Sequence, residues 1–193
     1  PIAIDLDTTI CSDEMLMIDL NDAITNGVVG AEFTYTTTSS DPMAISAPPS
    51  RAVPSMDPIS DSFENVSGGP VVITYTVEPS VGGCVGNNFD LEVTVLPEPG
   101  LRPSDYTTTI CSRDVWGPTI VDTTGLGPVD FDLVAIDLST NSADLIPSSI
   151  NAVLADGYGP DGLEDESYTN FTDTTQTATY TIVPFSVDSC YGD

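Results

Sequence analysis

The chain contains no lysine and no histidine, and only three basic residues, Arg51, Arg102 and Arg113, stand against 30 acidic ones. The formal net charge at pH 7 is −27. Phosphate recognition needs a basic footprint, so nucleic acid is not an expected partner. With no histidine or lysine to work near neutral pH, and no serine or cysteine beside a candidate base in sequence, the chain does not read as an enzyme and offers no catalytic residues. No apolar run approaches the stretch of about 18 residues that a membrane helix needs, and nothing resembles a signal peptide. Membrane insertion is therefore not expected. Without an initiator methionine, the chain reads as a processed or excised piece. The four cysteines form no Cys-x-x-Cys pair, so zinc spacing is absent.

What the chain does have is a repeat. Thr8-Thr9-Ile10-Cys11-Ser12 recurs as Thr108-Thr109-Ile110-Cys111-Ser112. Asn65-Val66-Ser67 faces Asn170-Phe171-Thr172, and Tyr75 to Pro79 faces Tyr180 to Pro184, both 105 residues farther on. Cys84-Val85-Gly86 faces Cys190-Tyr191-Gly192 at 106. Landmarks near the start and end of each unit recur in one order, so the expected organisation is two copies of one module, residues 1–99 and 100–193. The join, Leu96 to Pro103, is Pro-rich and reads as a semi-rigid linker.

The hydrophobic period is 2 almost wherever a period exists. Val71, Ile73, Tyr75 and Val77 alternate with Val72, Thr74 and Thr76, and the second copy keeps the phase with Ala178, Tyr180 and Ile182. Phe89, Leu91, Val93 and Val95 alternate with Asp90, Glu92 and Thr94, giving a partner strand that turns back around Val81-Gly82-Gly83-Cys84. Ile2, Ile4 and Leu6, then Met15 to Leu20, then Ala31, Phe33, Tyr35 and Thr37 supply three more short strands, with Asn26-Gly27 as a turn signal. Strands of this length and spacing in units of about 100 residues predict an all-β chain of two tandem immunoglobulin-like antiparallel sandwiches. The acids then decorate a folded surface.

The cysteines fall two per copy, near the ends of each. One disulfide within each module, Cys11 with Cys84 and Cys111 with Cys190, is the economical expectation, and it implies an oxidising compartment. Each bridge would stabilise its module by roughly 4 kcal/mol on the chain-entropy argument. Four free buried thiols are the alternative.

Several stretches look chemical. Gly157-Tyr158-Gly159-Pro160-Asp161-Gly162 matches GxGxxG in letters only, because Pro160 and the acids after it do not open a helix and would repel a pyrophosphate. The same loop concentrates Asp156, Asp161, Glu164, Asp165 and Glu166 among glycines, which makes calcium the one cofactor the chain offers a place for; a solvated acidic loop is the alternative. Glu98 and Asp105 form a second, poorer calcium candidate. Asn65-Val66-Ser67 and Asn170-Phe171-Thr172 are formal glycosylation sequons, equally explained by turns in which the Asn side chain bonds its own backbone. Trp116 is read as a core anchor, or alternatively as a platform on which a glycan stacks.

The order Thr-Ile-Cys-Ser, acidic-hydrophobic strand, Asn-x-Ser/Thr, Thr-Tyr-Thr-x-x-Pro, Cys-x-Gly and Val-Thr-Val-Leu-Pro-Glu-Pro resembles the PKD-like repeats of the large secreted surface adhesins of Bacteroidetes, of the SprB gliding-motility type. The resemblance covers both copies. It implies an extracellular, cell-surface, multi-repeat protein in which the modules are stalk or filament units supporting adhesion or gliding, with neighbouring repeats, and surface polysaccharide as a further candidate, as partners. A glycan- or polymer-binding module is the other function it allows. It also implies O-glycosylation at Asp-Thr-Thr motifs, at Thr8, Thr123 and Thr174. The second copy departs from the pattern by lacking a counterpart of the strand after Cys84. A segment matching that strand opens the chain, which leads to the expectation that Pro1 to Leu6 closes a preceding module and that the chain is one filament period, joined covalently or by strand donation; arbitrary truncation of a longer chain is the equal alternative.

Overall fold

The structure is a computed structural model that describes residues 1–102, 106–127, 129–139, 141, 143–149 and 154–192. It is all-β, with no α-helix among the described residues. It divides into two compact units, Pro1–Pro97 and Glu98–Asp193.

The first unit contains β1 (Leu6–Cys11), β2 (Met15–Ile18), a 3-10 turn (Leu20–Ala23), β3 (Glu32–Ser39), β4 (Arg51–Ser55), β5 (Ile59–Ser62), β6 (Val71–Val81), β7 (Cys84–Val85) and β8 (Phe89–Leu96). One sheet runs β1-β8-β6-β3-β4, with β7 off β6, and β2 pairs with β5 in a second sheet. The alternation does what period 2 requires: Val71, Ile73, Tyr75 and Val77 of β6 and Phe89, Leu91, Val93 and Val95 of β8 are all buried. They meet Leu16 of β2 and Ile59 of β5 in one core. Between β6 and β7, Gly82 and Gly83 take φ of 55° and 83°, the left-handed pair that a two-residue hairpin demands.

β1 lies parallel to β8, from Leu6 opposite Leu91 to Cys11 opposite Leu96. Ahead of it, Ala3 bridges Ile24 and is clamped by Asn87, whose Oδ1 accepts from the Ala3 N–H at 3.0 Å and whose Nδ2 donates to the Ala3 carbonyl at 3.0 Å. The opening segment thus belongs to the first unit itself, which overturns the expectation that Pro1 to Leu6 closes a preceding module. Its phase also differs from the expected one. Ala3 is buried while Ile2 and Ile4 are exposed, because the Asn87 clamp and the Ile24 bridge set which side faces inward.

The second unit contains β9 (Val115–Trp116), β10 (Asp130–Leu138), β11 (Leu145–Ser149), β12 (Ala155–Tyr158), β13 (Glu166–Asn170) and β14 (Ala178–Phe185). Two three-stranded sheets, β12-β10-β14 and β11-β13-β9, enclose a smaller core of Ile120, Val129, Phe131, Leu133 and Leu163. β10 and β14 pair antiparallel from Asp130 opposite Phe185 to Leu138 opposite Ala178, as β3 and β6 do in the first unit.

The cysteines correct the expected pairing. Cys84 and Cys111 are free and exposed. Neither bridge within a module forms, and the reason is reach. Cys11 lies opposite Leu96, at the far end of β8, whereas Cys84 lies opposite Val81 at the hairpin that precedes β8. A strand of eight residues separates them, roughly 25 Å at about 3.3 Å per residue, against the 7 Å or so between Cα atoms that a disulfide tolerates. In the second unit Cys111 sits at the corner where Arg113 N–H donates to the Tyr168 carbonyl, whereas the Cys190 carbonyl accepts from Ser186 N–H just past β14. Tyr168 meets Tyr180 near the start of that strand, so these two cysteines also occupy opposite ends.

Candidate functional site

The duplicated motifs build the same corner in each unit. Ser12 Oγ accepts from the Asn65 backbone N–H at 3.0 Å, and Ser112 Oγ accepts from Asn170 N–H at 3.0 Å. The next residue takes positive φ in both, 60° at Asp13 and 74° at Arg113. Its N–H donates to Phe63 in one unit and to Tyr168 in the other. The sequon side chains complete the corner. Asn65 Oδ1 accepts from Ser67 N–H and Oγ, while Nδ2 donates to the carbonyls of Gly69 at 3.0 Å and Val95 at 2.8 Å. Asn170 repeats the turn with Thr172 and Thr174. These asparagines are backbone ties, and Asn65 is only 2% exposed, which closes it to an attached glycan.

A second equivalence lies in each core. The Tyr75 hydroxyl donates to Asp61 at 2.7 Å, and the Tyr180 hydroxyl donates to Glu166 at 3.1 Å. Burial, reinforced by the facing carboxylate, pushes the Tyr75 phenol up. Burial also raises Tyr180, together with Tyr168 and Glu166. Both phenols stay protonated, as hydrogen-bond donors to a carboxylate must.

A groove of about 910 Å³ lies in the second unit. One wall is Thr107 to Ser112, the second copy of the repeated pentapeptide with the residue before it; the other is Ala178 to Ile182 of β14, with Trp116, Leu163 and Tyr168 between. In the first unit the corresponding walls are β1 and β6, and β8 lies between them. Among the described residues of the second unit, β14 is the last strand of its sheet, and residues 107–111 form no strand. The consequence shows in β14. The residues Ala178, Tyr180 and Ile182, in phase with the buried face of β6, are only half-buried.

The residues anticipated from sequence are dispersed. Of the five loop acids, Asp156, Glu164 and Asp165 are exposed, Asp161 Oδ1 accepts from the Thr119 hydroxyl at 2.6 Å, and Glu166 is buried against Tyr180. The structure does not bring them together, and among the described residues no three acidic, Cys or His side chains converge to hold a metal. Asp105 of the second calcium candidate and Pro103 of the expected linker lie outside the described residues. Gly157 falls in β12, and a Cβ on Gly162 would come within 2.7 Å of the Tyr158 ring, so the glycines serve a strand and a tight turn rather than a phosphate loop. Thr123 and Thr174 are exposed, while Thr8 is half-buried within β1. Trp116 packs on Tyr180 with ring centroids 5.3 Å apart and reaches the groove, as Tyr168 does. Tyr158 instead stacks on Phe131 at 5.5 Å.

Sequence reasoning read Asp122 only as the first residue of the Asp122-Thr123-Thr124 glycosylation motif and missed its structural role. It is 7% exposed and accepts from Gly100 N–H at 2.7 Å, Leu126 N–H at 2.7 Å and the Thr124 hydroxyl at 2.8 Å. Burial alone would raise its pKa; the hydrogen bonds from Leu126, Thr124 and Gly100 outweigh it and hold the carboxyl below its ordinary value.

Residues 8–99 match the PKD-like domain family, which covers the first unit from the repeated pentapeptide to the end of β8. No curated protein and no solved structure matches the chain.

Proposed function

We propose that this chain is a pair of tandem immunoglobulin-like repeats from a secreted cell-surface adhesin, serving as stalk or filament in surface adhesion or gliding, without catalytic activity. The observation that carries this reading is the same Ser–Asn corner built twice, once inside a segment matching the PKD-like domain family. A repeat whose hydrogen-bonded skeleton is copied while its surface letters drift is under selection for shape, which is what a spacer needs. The acidic coat fits this role, since like charge keeps neighbouring stalks soluble and apart. Its natural location is the extracellular face, with neighbouring repeats as partners and O-glycosylation available at the exposed Thr123 and Thr174.

The test is antibody labelling of intact cells of the source organism, with and without protease shaving. Surface label that shaving removes is expected; label that appears only after lysis overturns the reading. Trp116 and Tyr168 in one groove favour a second reading, in which the groove binds a glycan or surface polymer. Saturable polysaccharide binding that disappears in Trp116→Ala would favour it over the stalk.

A further inference from the structure

We propose that Asn26-Gly27 is a self-modifying site of the first unit, at which the backbone converts Asn26 to aspartate and isoaspartate and so resets the hydrogen bond that holds the opening segment.

Asparagine is chemically labile, but it reacts readily only where the next amide nitrogen can reach its side chain. Among the described residues the structure offers that at one place. Asn26 and Gly27 are both exposed and lie outside any strand. Gly27 has a φ of 69°, and a Cβ there would meet nothing within 4 Å, so the backbone has room to turn its nitrogen onto the side chain. The Asn26 carboxamide takes part in one hydrogen bond among the described residues, accepting at Oδ1 from Ile2 N–H at 3.2 Å. That bond polarises the carbonyl under attack and leaves Nδ2 able to depart. The other asparagines are held. Asn21, Asn65, Asn87, Asn141 and Asn170 each donate from Nδ2 to a fixed acceptor. Asn88 precedes Phe89, whose buried ring and pairing in β8 fix the following amide.

The step is an intramolecular substitution with no redox change. The Gly27 amide nitrogen loses its proton to base and attacks Cγ of Asn26, closing a succinimide ring. The Cγ–Nδ2 bond breaks, and the nitrogen leaves with a proton as ammonia. Water then opens the ring. Cleavage at Cγ gives aspartate, whereas cleavage at the main-chain carbonyl gives isoaspartate, with the backbone rerouted through Cγ.

The second unit shows what a carboxylate does at this position. Ile2 and Gly100 are equivalent, each following a proline, Pro1 or Pro99, whose carbonyl lies so close to Gly86 or Gly192 that a Cβ there would collide with it. The Ile2 carbonyl accepts from the Thr25 N–H at 2.9 Å and its hydroxyl at 3.2 Å. The Gly100 carbonyl accepts from the Thr123 N–H at 2.8 Å and its hydroxyl at 2.9 Å. Gly100 N–H donates to the Asp122 carboxylate at 2.7 Å, where Ile2 N–H has only the neutral Asn26 amide at 3.2 Å. A carboxylate makes the shorter, charge-assisted bond, so the aspartate product tightens the hold on residues 1–4. Isoaspartate adds a methylene to the main chain and carries its carboxylate off the Ile2 amide, which loosens that hold.

The test ages the full 193-residue chain in mildly alkaline buffer, native and in urea, and follows every asparagine by peptide mass and by isoaspartyl methyltransferase labelling. We expect the amide-to-acid mass gain at Asn26 before any other asparagine, at a native rate comparable with that in urea, with both products present. Asn26→Gln should lose the gain. A gain at Asn26 in urea but not in the native chain overturns the proposal, because the fold then protects the site; so does an earlier gain at another asparagine. The effect on the opening segment is read from exchange of the Ile2 amide by NMR. Asn26→Asp should slow it, and the isoaspartate fraction should exchange faster than the parent chain. An Ile2 amide indifferent to Asn26→Asp overturns the link to the opening segment. None of these readouts depends on the surface-adhesin reading, so the two fail separately.

Discussion

The two units carry the same alternating strand to different depths. In β6, Ile73, Tyr75 and Val77 are fully buried; in β14 the equivalent Ala178, Tyr180 and Ile182 are half-buried. The residues are of the same kind and the neighbouring strand on one side is equivalent, β3 in the first unit and β10 in the second. What differs is the other side, where β8 covers β6 and a groove runs along β14. Burial is thus a property of the neighbourhood, and alternation only states which face is available for it. The tyrosine–carboxylate pairs show the converse, since the Tyr75–Asp61 and Tyr180–Glu166 bonds form in both units whatever the neighbouring strand does.

The sharpest way to test this difference is to remove matched side chains. Ile73→Ala in β6 deletes a fully buried side chain of the same type from the larger core and should cost the first unit about 2–5 kcal/mol. Ile182→Ala beside the groove should cost the second unit about 1 kcal/mol, because less area is lost from burial. Urea titration followed by region-resolved hydrogen exchange separates the two, and equal costs would mean that β14 is as well covered as β6. Next in size, Asn65→Ala removes the buried Nδ2 donor to the Val95 carbonyl and should cost about 2 kcal/mol. Asn170→Ala, at a more exposed corner, should cost less than about 1 kcal/mol.

A smaller effect distinguishes the units by pH. The folded pKa of Asp122 lies below its unfolded value. Its contribution to the second unit is therefore complete above the unfolded carboxylate range, near ~4, and is lost as pH falls through the folded value. Asp122→Asn should lower the stability of that unit at neutral pH and flatten its decline in acid, while leaving the first unit alone; an unchanged acid slope would remove Asp122 from the account. The smallest effect is on cysteine. Maleimide should label Cys84 and Cys111 in the native protein with almost no change in stability. Native protection of Cys84 or Cys111 would contradict the exposed positions of these thiols.

Much of the architecture was readable in advance. The inward faces of β6 and β8, the glycine hairpin at Gly82-Gly83 and the backbone role of the two sequon asparagines all follow from local pattern, because strand pleat and turn conformation are decided within a few residues. The acidic loop read as a calcium candidate did not assemble, since closeness in sequence within a loop leaves the direction of each carboxylate open. The structural role of Asp122 was missed for the converse reason: its donors include Gly100, distant in sequence, and no local pattern announces them.

The chain by itself determined that two related units exist, that both are built of strands, and which letters they share, because repeats and alternation are properties of order along the chain. Only the tertiary structure decided that Cys11 and Cys84 stand at opposite ends of a sheet, and that Ala3 rather than Ile2 and Ile4 faces inward. Each of these depends on distances between segments far apart in sequence, which are set by the packing of whole strands and not by the preferences of any one of them.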